Sequence, residues 1–152
     1  MVNKTTRVLH GSGLALSMGS VLTFVVMNSI VGSSSDAKLI DHQRRFVAGI
    51  SRTLTIPGVW MLIGADVLAA LSGKDGLSAR RWLIAKVGLD ALILANIVVF
   101  IAPLEKRVTE IAEVSAASGQ LPESYGPLKT LEDRYGAANL LMLVAAFLWS
   151  DL

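Results

Sequence analysis

Apolar and polar positions along this chain fall into long blocks rather than short alternations. Val8 to Val31 is almost wholly apolar, with His10 near its start and Asn28 near its end. A second apolar block covers 54–72, and a third runs from Trp82 to Pro103. The third is framed by the basic pair Arg80/Arg81 and the Glu105-Lys106-Arg107 cluster. A fourth and weaker block spans 134–151. Each is near the ~20 residues a helix needs to cross a hydrocarbon core. The pattern predicts an all-α fold, a transmembrane four-helix bundle of one domain with spans near 8–31, 54–72, 82–103 and 134–151.

The connecting stretches carry their own signals. Gly32-Ser33-Ser34-Ser35-Asp36 reads as a turn followed by N-cap chemistry. Ala37 to Thr53 is amphipathic, with Leu39, Ile40, Phe46, Val47 and Ile50 on one face and Lys38, Asp41, Gln43, Arg44 and Arg45 mostly on the other. Such a helix is expected to emerge from a membrane or lie at its surface. Pro57-Gly58 predicts a kink at the head of the second span, and Trp60 is placed like an interfacial or bundle anchor. Residues 72–76 make a polar turn. Helical character is expected to persist through Leu104–Val114, Ala116 to Lys129 is expected to be loop, and 131–134 to open the last helix. In the first span Gly11, Ala15, Gly19 and Thr23 form a small-xxx-small stripe suited to close helix packing.

Composition strengthens the membrane reading. The 152 residues are 53% apolar and only 17% charged, with mean hydropathy +0.57, against roughly a quarter charged in soluble domains. The basic residues flank apolar runs rather than forming a stripe interleaved with aromatics, so nucleic acid is not an expected partner. With no cysteine, this chain has no disulfide, thiolate zinc site or iron–sulfur ligand. The basic start resembles a signal peptide. The apolar run is about twice the usual length for one, however, and no clear small-x-small site follows it, so a retained first helix is expected.

Four spans would put both termini and the 72–81 turn on one side, side A, and the 32–53 and 104–133 connections on side B. The expected location is the inner (plasma) membrane, multi-pass. Side B carries more Lys and Arg, which leans towards a cytoplasmic side B and an external N-terminus.

That topology brings the chemistry together. His10 begins the first span from side A, and Asp66 lies about 10 Å short of the side A end of the second. Lys86 and Asp90 enter the third by about 6 and 12 Å. Being four apart they share a helix face. Ionisable groups at such depth usually face a protein interior or a wet cavity, and pairing of Lys86 with Asp66 or Asp90 is expected. The competing reading is an intrahelical Lys86–Asp90 pair with the lysine snorkelling to the surface. Asn28, Asn96 and Asn139 read as interhelical hydrogen-bond partners. His42 lies about a bilayer thickness from His10, so the two histidines are not expected to clamp one haem.

With these residues in place, the chain resembles a group of small bacterial four-helix membrane proteins. The group includes the HemJ-type protoporphyrinogen oxidases, the CopD-like copper-resistance domains and an uncharacterised family related to them. The resemblance rests on Leu9-His10 heading the first span, Arg52-x4-Pro57-Gly58 entering the second, Trp82-Leu83-x2-Lys86 opening the third, and the Pro103-Leu104-Glu105-Lys106-Arg107 tail. It implies a helix bundle and, on the HemJ side, a haem b or porphyrin site with His10 as axial ligand and Lys86 as the matching lysine. On the copper side Met18, Met27, Met61 and Met142 offer soft ligands, although methionines scattered in a bundle usually serve packing.

Three functions follow as expectations. The first is a subunit or accessory protein of a membrane complex, with structural charges and a small-residue stripe that meets a partner or a second copy. The second is a haem- or porphyrin-binding oxidoreductase using His10, Lys86, Asp66 and Asp90, the acids tuning the site or relaying protons. The third is an oligomeric permease for a small solute or metal.

Overall fold

The computed structural model describes residues 4–32, 34–72 and 77–148, without the side chains of 72 and 77–80. Most of the predicted turn at 72–76, and the end of the fourth predicted span at 149–152, lie outside these residues.

All the described regular structure is helical: α1 (Lys4–Val31), α2 (Ala37–Ile50), α3 (Ile56–Ser72), α4 (Leu77–Ala95), α5 (Ala102–Ser118) and α6 (Tyr125–Leu148). Asp36 caps α2, its carboxylate accepting from the backbone N–H of Lys38 and Leu39. Gly119, at φ 76°, ends α5 in the left-handed region where a side chain would be strained. α2 passes into α3 without a break through a π-helical turn at Ser51–Thr55, and α4 passes into α5 through another at Asn96–Ile101. Each turn stands just before a proline, Pro57 or Pro103. A proline ring clashes with the carbonyl four residues back and offers it no N–H, and one wide turn absorbs the misfit. The predicted kink at Pro57 thus takes the form of a π turn, and the same device recurs at Pro103.

Among the described residues, three helices are long and apolar enough to cross a membrane: Lys4–Val31, Ala37–Leu71 and Arg81–Ser118. The predicted fourth span falls on α6, which is not among them, because its first half carries Lys129, Glu132, Asp133 and Arg134. α6 also begins at Tyr125, earlier than expected. Pro127 falls within its first turn, where a missing N–H costs little.

α1 runs antiparallel to the α2–α3 rod, and the two touch from end to end. The tightest point is a glycine crossing. A Cβ on Gly13 would sit 2.7 Å from the Gly58 carbonyl oxygen, and one on Gly58 would sit 2.5 Å from Ser17 Oγ. The predicted stripe is therefore displaced around the helix. Gly11 and Gly19 have nothing within 4 Å and Ala15 is exposed, while Gly13, Ser17 and Ser20 face the partner helix.

An apolar core of Leu14, Val59, Leu62, Ile93, Ile97, Leu143 and Ala146 joins α1, α3, α4 and α6, with Met18 and Met142 packed against it. A second core, built on Val31, Ile40, Val108, Ala112 and Tyr125, sits where α2, α5 and α6 meet. Outside these cores the usual distribution is inverted. Val26, Ile30, Trp60, Leu71, Ile84, Leu92, Val98, Val99 and Leu141 face outward, whereas Arg44, Asp66, Lys86, Asp90, Glu132 and Asn139 are buried. Large contiguous apolar surfaces are rare on soluble monomers. This one is compatible with a lipid surround.

The amphipathic helix expected at the surface is built into the bundle, and its inward face differs from the expected one. Ile40, Gln43, Arg44 and Val47 are buried, while Leu39 and Phe46 are exposed.

Candidate functional site: a buried cluster of four ionisable side chains

The four candidate residues meet. His10 comes from the second turn of α1, Asp66 from the second half of α3, and Lys86 and Asp90 from successive turns of α4. They retain 9, 3, 6 and 1% of their surface respectively. Asp66 is the hub. Its Oδ1 lies 3.2 Å from His10 Nδ1 and 3.8 Å from Lys86 Nζ, and Asp90 is near enough for the two carboxyl groups to act on one another. The His10 approach is within ion-pair range but is not aligned as a hydrogen bond. The Lys86 ammonium also stands over the Trp82 ring, 4.9 Å from its centroid, where the negative face of the indole attracts it.

Lys86 therefore does not snorkel. It is buried, and its ion pair crosses to Asp66 on α3 rather than running along α4. Several polar atoms here have no hydrogen-bond partner: His10 Nε2, Asp66 Oδ2 and Asp90 Oδ2. Buried atoms left in this way ordinarily point to water, an ion or a chemical role. Formally, Lys86 sets one positive charge against two carboxylates. One further proton, on His10 or on a carboxyl, makes the group neutral. A low-dielectric interior favours neutrality.

A carboxylate behind one ring nitrogen is a common support for a metal-bound histidine, and His10 has that support from Asp66. Its packing does not fit a haem, however. Nε2, the atom that would face the iron, is enclosed by protein. His42 is exposed on α2 with its Nδ1 held at 2.8 Å by the Lys38 carbonyl, and α2–α3 separates it from Asp66 by about 36 Å at helical rise. Among the described residues no group of three His, Asp or Glu side chains is arranged to hold a metal.

A second buried charge group stands towards the opposite end of the bundle, and the sequence reading missed it. Arg44, 1% exposed, donates from Nη1 to Glu132 Oε2 at 2.6 Å and from Nε to the Tyr125 hydroxyl at 3.4 Å. Arg44 Nη2 has no partner. Burial pushes the Glu132 carboxyl above its usual range, and the Arg44 guanidinium pulls it back only in part. Nearby, Asn28 Nδ2 donates to Asp133 Oδ1 at 2.9 Å and Asn28 Oδ1 accepts from Gln43 Nε2 at 2.9 Å. Asn96 Nδ2 donates to Asn139 Oδ1 at 3.3 Å. All three asparagines tie helices together, as expected of them. The charge of Arg44 had placed it on the outer face of an amphipathic helix. The signal against that placement was Glu132, which only the fold brings near.

Comparison with protein-family models, with curated proteins and with solved structures returned no match.

Proposed function

We propose that the chain is a small integral membrane protein whose chemical centre is a proton-binding cluster, His10–Asp66–Lys86–Asp90, and that it serves a larger membrane assembly as a subunit or accessory protein. One observation carries the reading: four ionisable side chains from three helices share one buried site that is a single proton short of neutrality. Ionisable groups at membrane depth are rare and mark proton relays and ion paths more often than scaffolding. Such a centre takes up one proton and releases it with little movement, because Asp66 already touches the other three groups.

The partner part of the reading is supported by the outward stripe. Gly11, Ala15 and Gly19 line an open face of α1 on which another helix can approach closely. A partner subunit or a second copy fits that face.

The test is infrared difference spectroscopy of the purified protein between acid and alkaline pH, for wild type, Asp66→Asn and Asp90→Asn. A carboxyl C=O band that comes and goes with pH, and is lost in Asp90→Asn or Asp66→Asn, is the expected result. Its absence at every pH in folded wild type would remove the proton-binding reading.

The resemblance to HemJ-type proteins leaves a second reading, haem b on His10. Asp66 behind Nδ1 favours it and the enclosed Nε2 opposes it. The absorption spectrum, oxidised and reduced, decides between them. A Soret band that disappears in His10→Ala would establish haem, and a colourless wild-type protein would dismiss it.

A further inference from the structure

Between the two charge groups the bundle is not uniformly apolar. On α1 the residues His10, Gly13, Ser17 and Ser20 follow one another at spacings of three and four, so they form a single face directed at α3. Ser20 Oγ donates to the Ser17 carbonyl at 2.8 Å, and Thr55 Oγ1 on the first π turn donates to Ser20 Oγ at 2.8 Å. Ser17 is fully buried and its own hydroxyl is unpartnered.

Next to these hydroxyls lies a half-enclosed cavity of about 60 Å³. Its wall is mostly apolar, built by residues such as Phe24, Val47 and Ile101, and Ser20, Thr55, Asn139, Glu105 and Glu132 supply its polar positions. At the ~10–15 Å³ one water requires, it has room for roughly four. The hydroxyls, the amide and the two carboxyls supply the two to four polar partners that a buried water needs. One cavity thus connects the carboxyl groups of the Arg44 end with the hydroxyls at mid-bundle. Ser17 continues the line one turn further along α1. His10 lies about 10 Å beyond Ser17 at helical rise, and Leu14, Val59, Leu62 and Ile93 occupy that interval.

We propose that this chain carries a proton path along the inner face of α1. It runs from Glu105 and Glu132 through a water-filled half-channel to Ser17, and across the Leu14–Leu62–Ile93 layer to the His10–Asp66–Lys86–Asp90 cluster. The proposal rests on the proton-binding reading of that cluster and adds a route, along which the imposed gradient sets the direction. The half-channel holds the waters that hand the proton on. The apolar layer is the gate, because it is the one interval along the path without a polar side chain. Nothing is consumed: a proton bound from the Glu105/Glu132 end leaves from the cluster at the other.

The experiment reconstitutes the full chain in vesicles containing a pH-sensitive dye, with a potassium gradient and an ionophore setting the potential. Wild type, Thr55→Val with Asn139→Leu, Ser17→Ala and Leu62→Ala are compared, each checked for helicity and thermal unfolding. Proton entry severalfold faster than in protein-free vesicles, reduced towards that background by Thr55→Val/Asn139→Leu or by Ser17→Ala, is expected. Loosening the layer with Leu62→Ala should raise it. Wild-type vesicles that acidify no faster than empty ones would overturn the path. Flux unchanged by every sealing variant would overturn this route. In either case the pH-dependent carboxyl band still reports on the cluster by itself, so loss of the path and loss of the proton-binding reading are distinguishable.

Discussion

Gly13 and Gly58 meet where α1 crosses α3, so closely that a Cβ on Gly13 would stand 2.7 Å from the Gly58 carbonyl oxygen. The obstacle is backbone, and it cannot step aside as a side-chain end can. Gly13→Ala should therefore destabilise the protein by about 1–3 kcal/mol, the usual cost of forcing extra volume into packed structure. Gly11→Ala and Gly19→Ala, with open space around both, should unfold at or slightly above the wild-type temperature, since alanine is the better helix former. Thermal melts of the three variants in one mild detergent make the comparison.

The open side of the same helix yields the opposite expectation. Gly19→Leu should leave the melt unchanged and alter how the protein associates. Size-exclusion or crosslinking in mild detergent should show loss of a dimer, or of a co-purifying partner, relative to wild type. An unchanged profile would detach the stripe from any partner role.

Asp66 touches His10 and Lys86 and neighbours Asp90, so it should be the most sensitive member of the cluster. Asp66→Asn leaves a buried lysine without its ion partner, a loss that typically costs about 3–5 kcal/mol. Lys86→Met in the same background should recover much of this, since both halves of the pair are then gone. Denaturant or thermal unfolding of the two single variants and the double variant forms the cycle. Simple addition of the two losses would mean that Lys86 and Asp66 do not depend on one another.

At the other end, Arg44→Met should be severely destabilising because it leaves the Glu132 carboxylate buried and uncompensated, whereas Arg44→Met with Glu132→Leu should come close to wild type. The pH profile has a definite sign. Burial raises the folded-state pKa of Glu132 above its ordinary 4.5, so the folded protein holds this proton more tightly than the unfolded chain. The stability it contributes is complete below the ordinary value and is lost as pH rises through the folded one. Wild type should thus lose stability on going from acid towards neutral pH. Glu132→Gln, with no proton to lose there, should show a flatter profile.

The apolar runs were readable because span length needs no knowledge of what packs where. The depths of His10, Asp66, Lys86 and Asp90 followed from counting along antiparallel helices, and the four do meet. Rotation about a helix axis was not readable. Gly11-x3-Ala15-x3-Gly19 and the Gly13–Ser17–Ser20 face differ by about half a turn and look equally good as spacings. Gly58, in another block, decides between them by letting the Gly13–Ser17 face come into backbone contact. Arg44 was misplaced for a related reason. A charge on an amphipathic segment points to water unless a partner waits inside, and its partner is 88 positions away. The fourth block was weak in the sequence, and the charged first half of α6 keeps that helix short of a full apolar span.

The π turns before Pro57 and Pro103 set the rotation of the helices that follow them. Each wide turn is in effect one inserted residue, and an insertion rotates everything after it by about 100° about the helix axis. Ser51 and Thr55 of the first turn and Ile97 and Ile101 of the second line the same cavity. The two wide turns are thus coupled in space: removing one residue from either would rotate the helix beyond it by about 100° and change the shape of the cavity that both line.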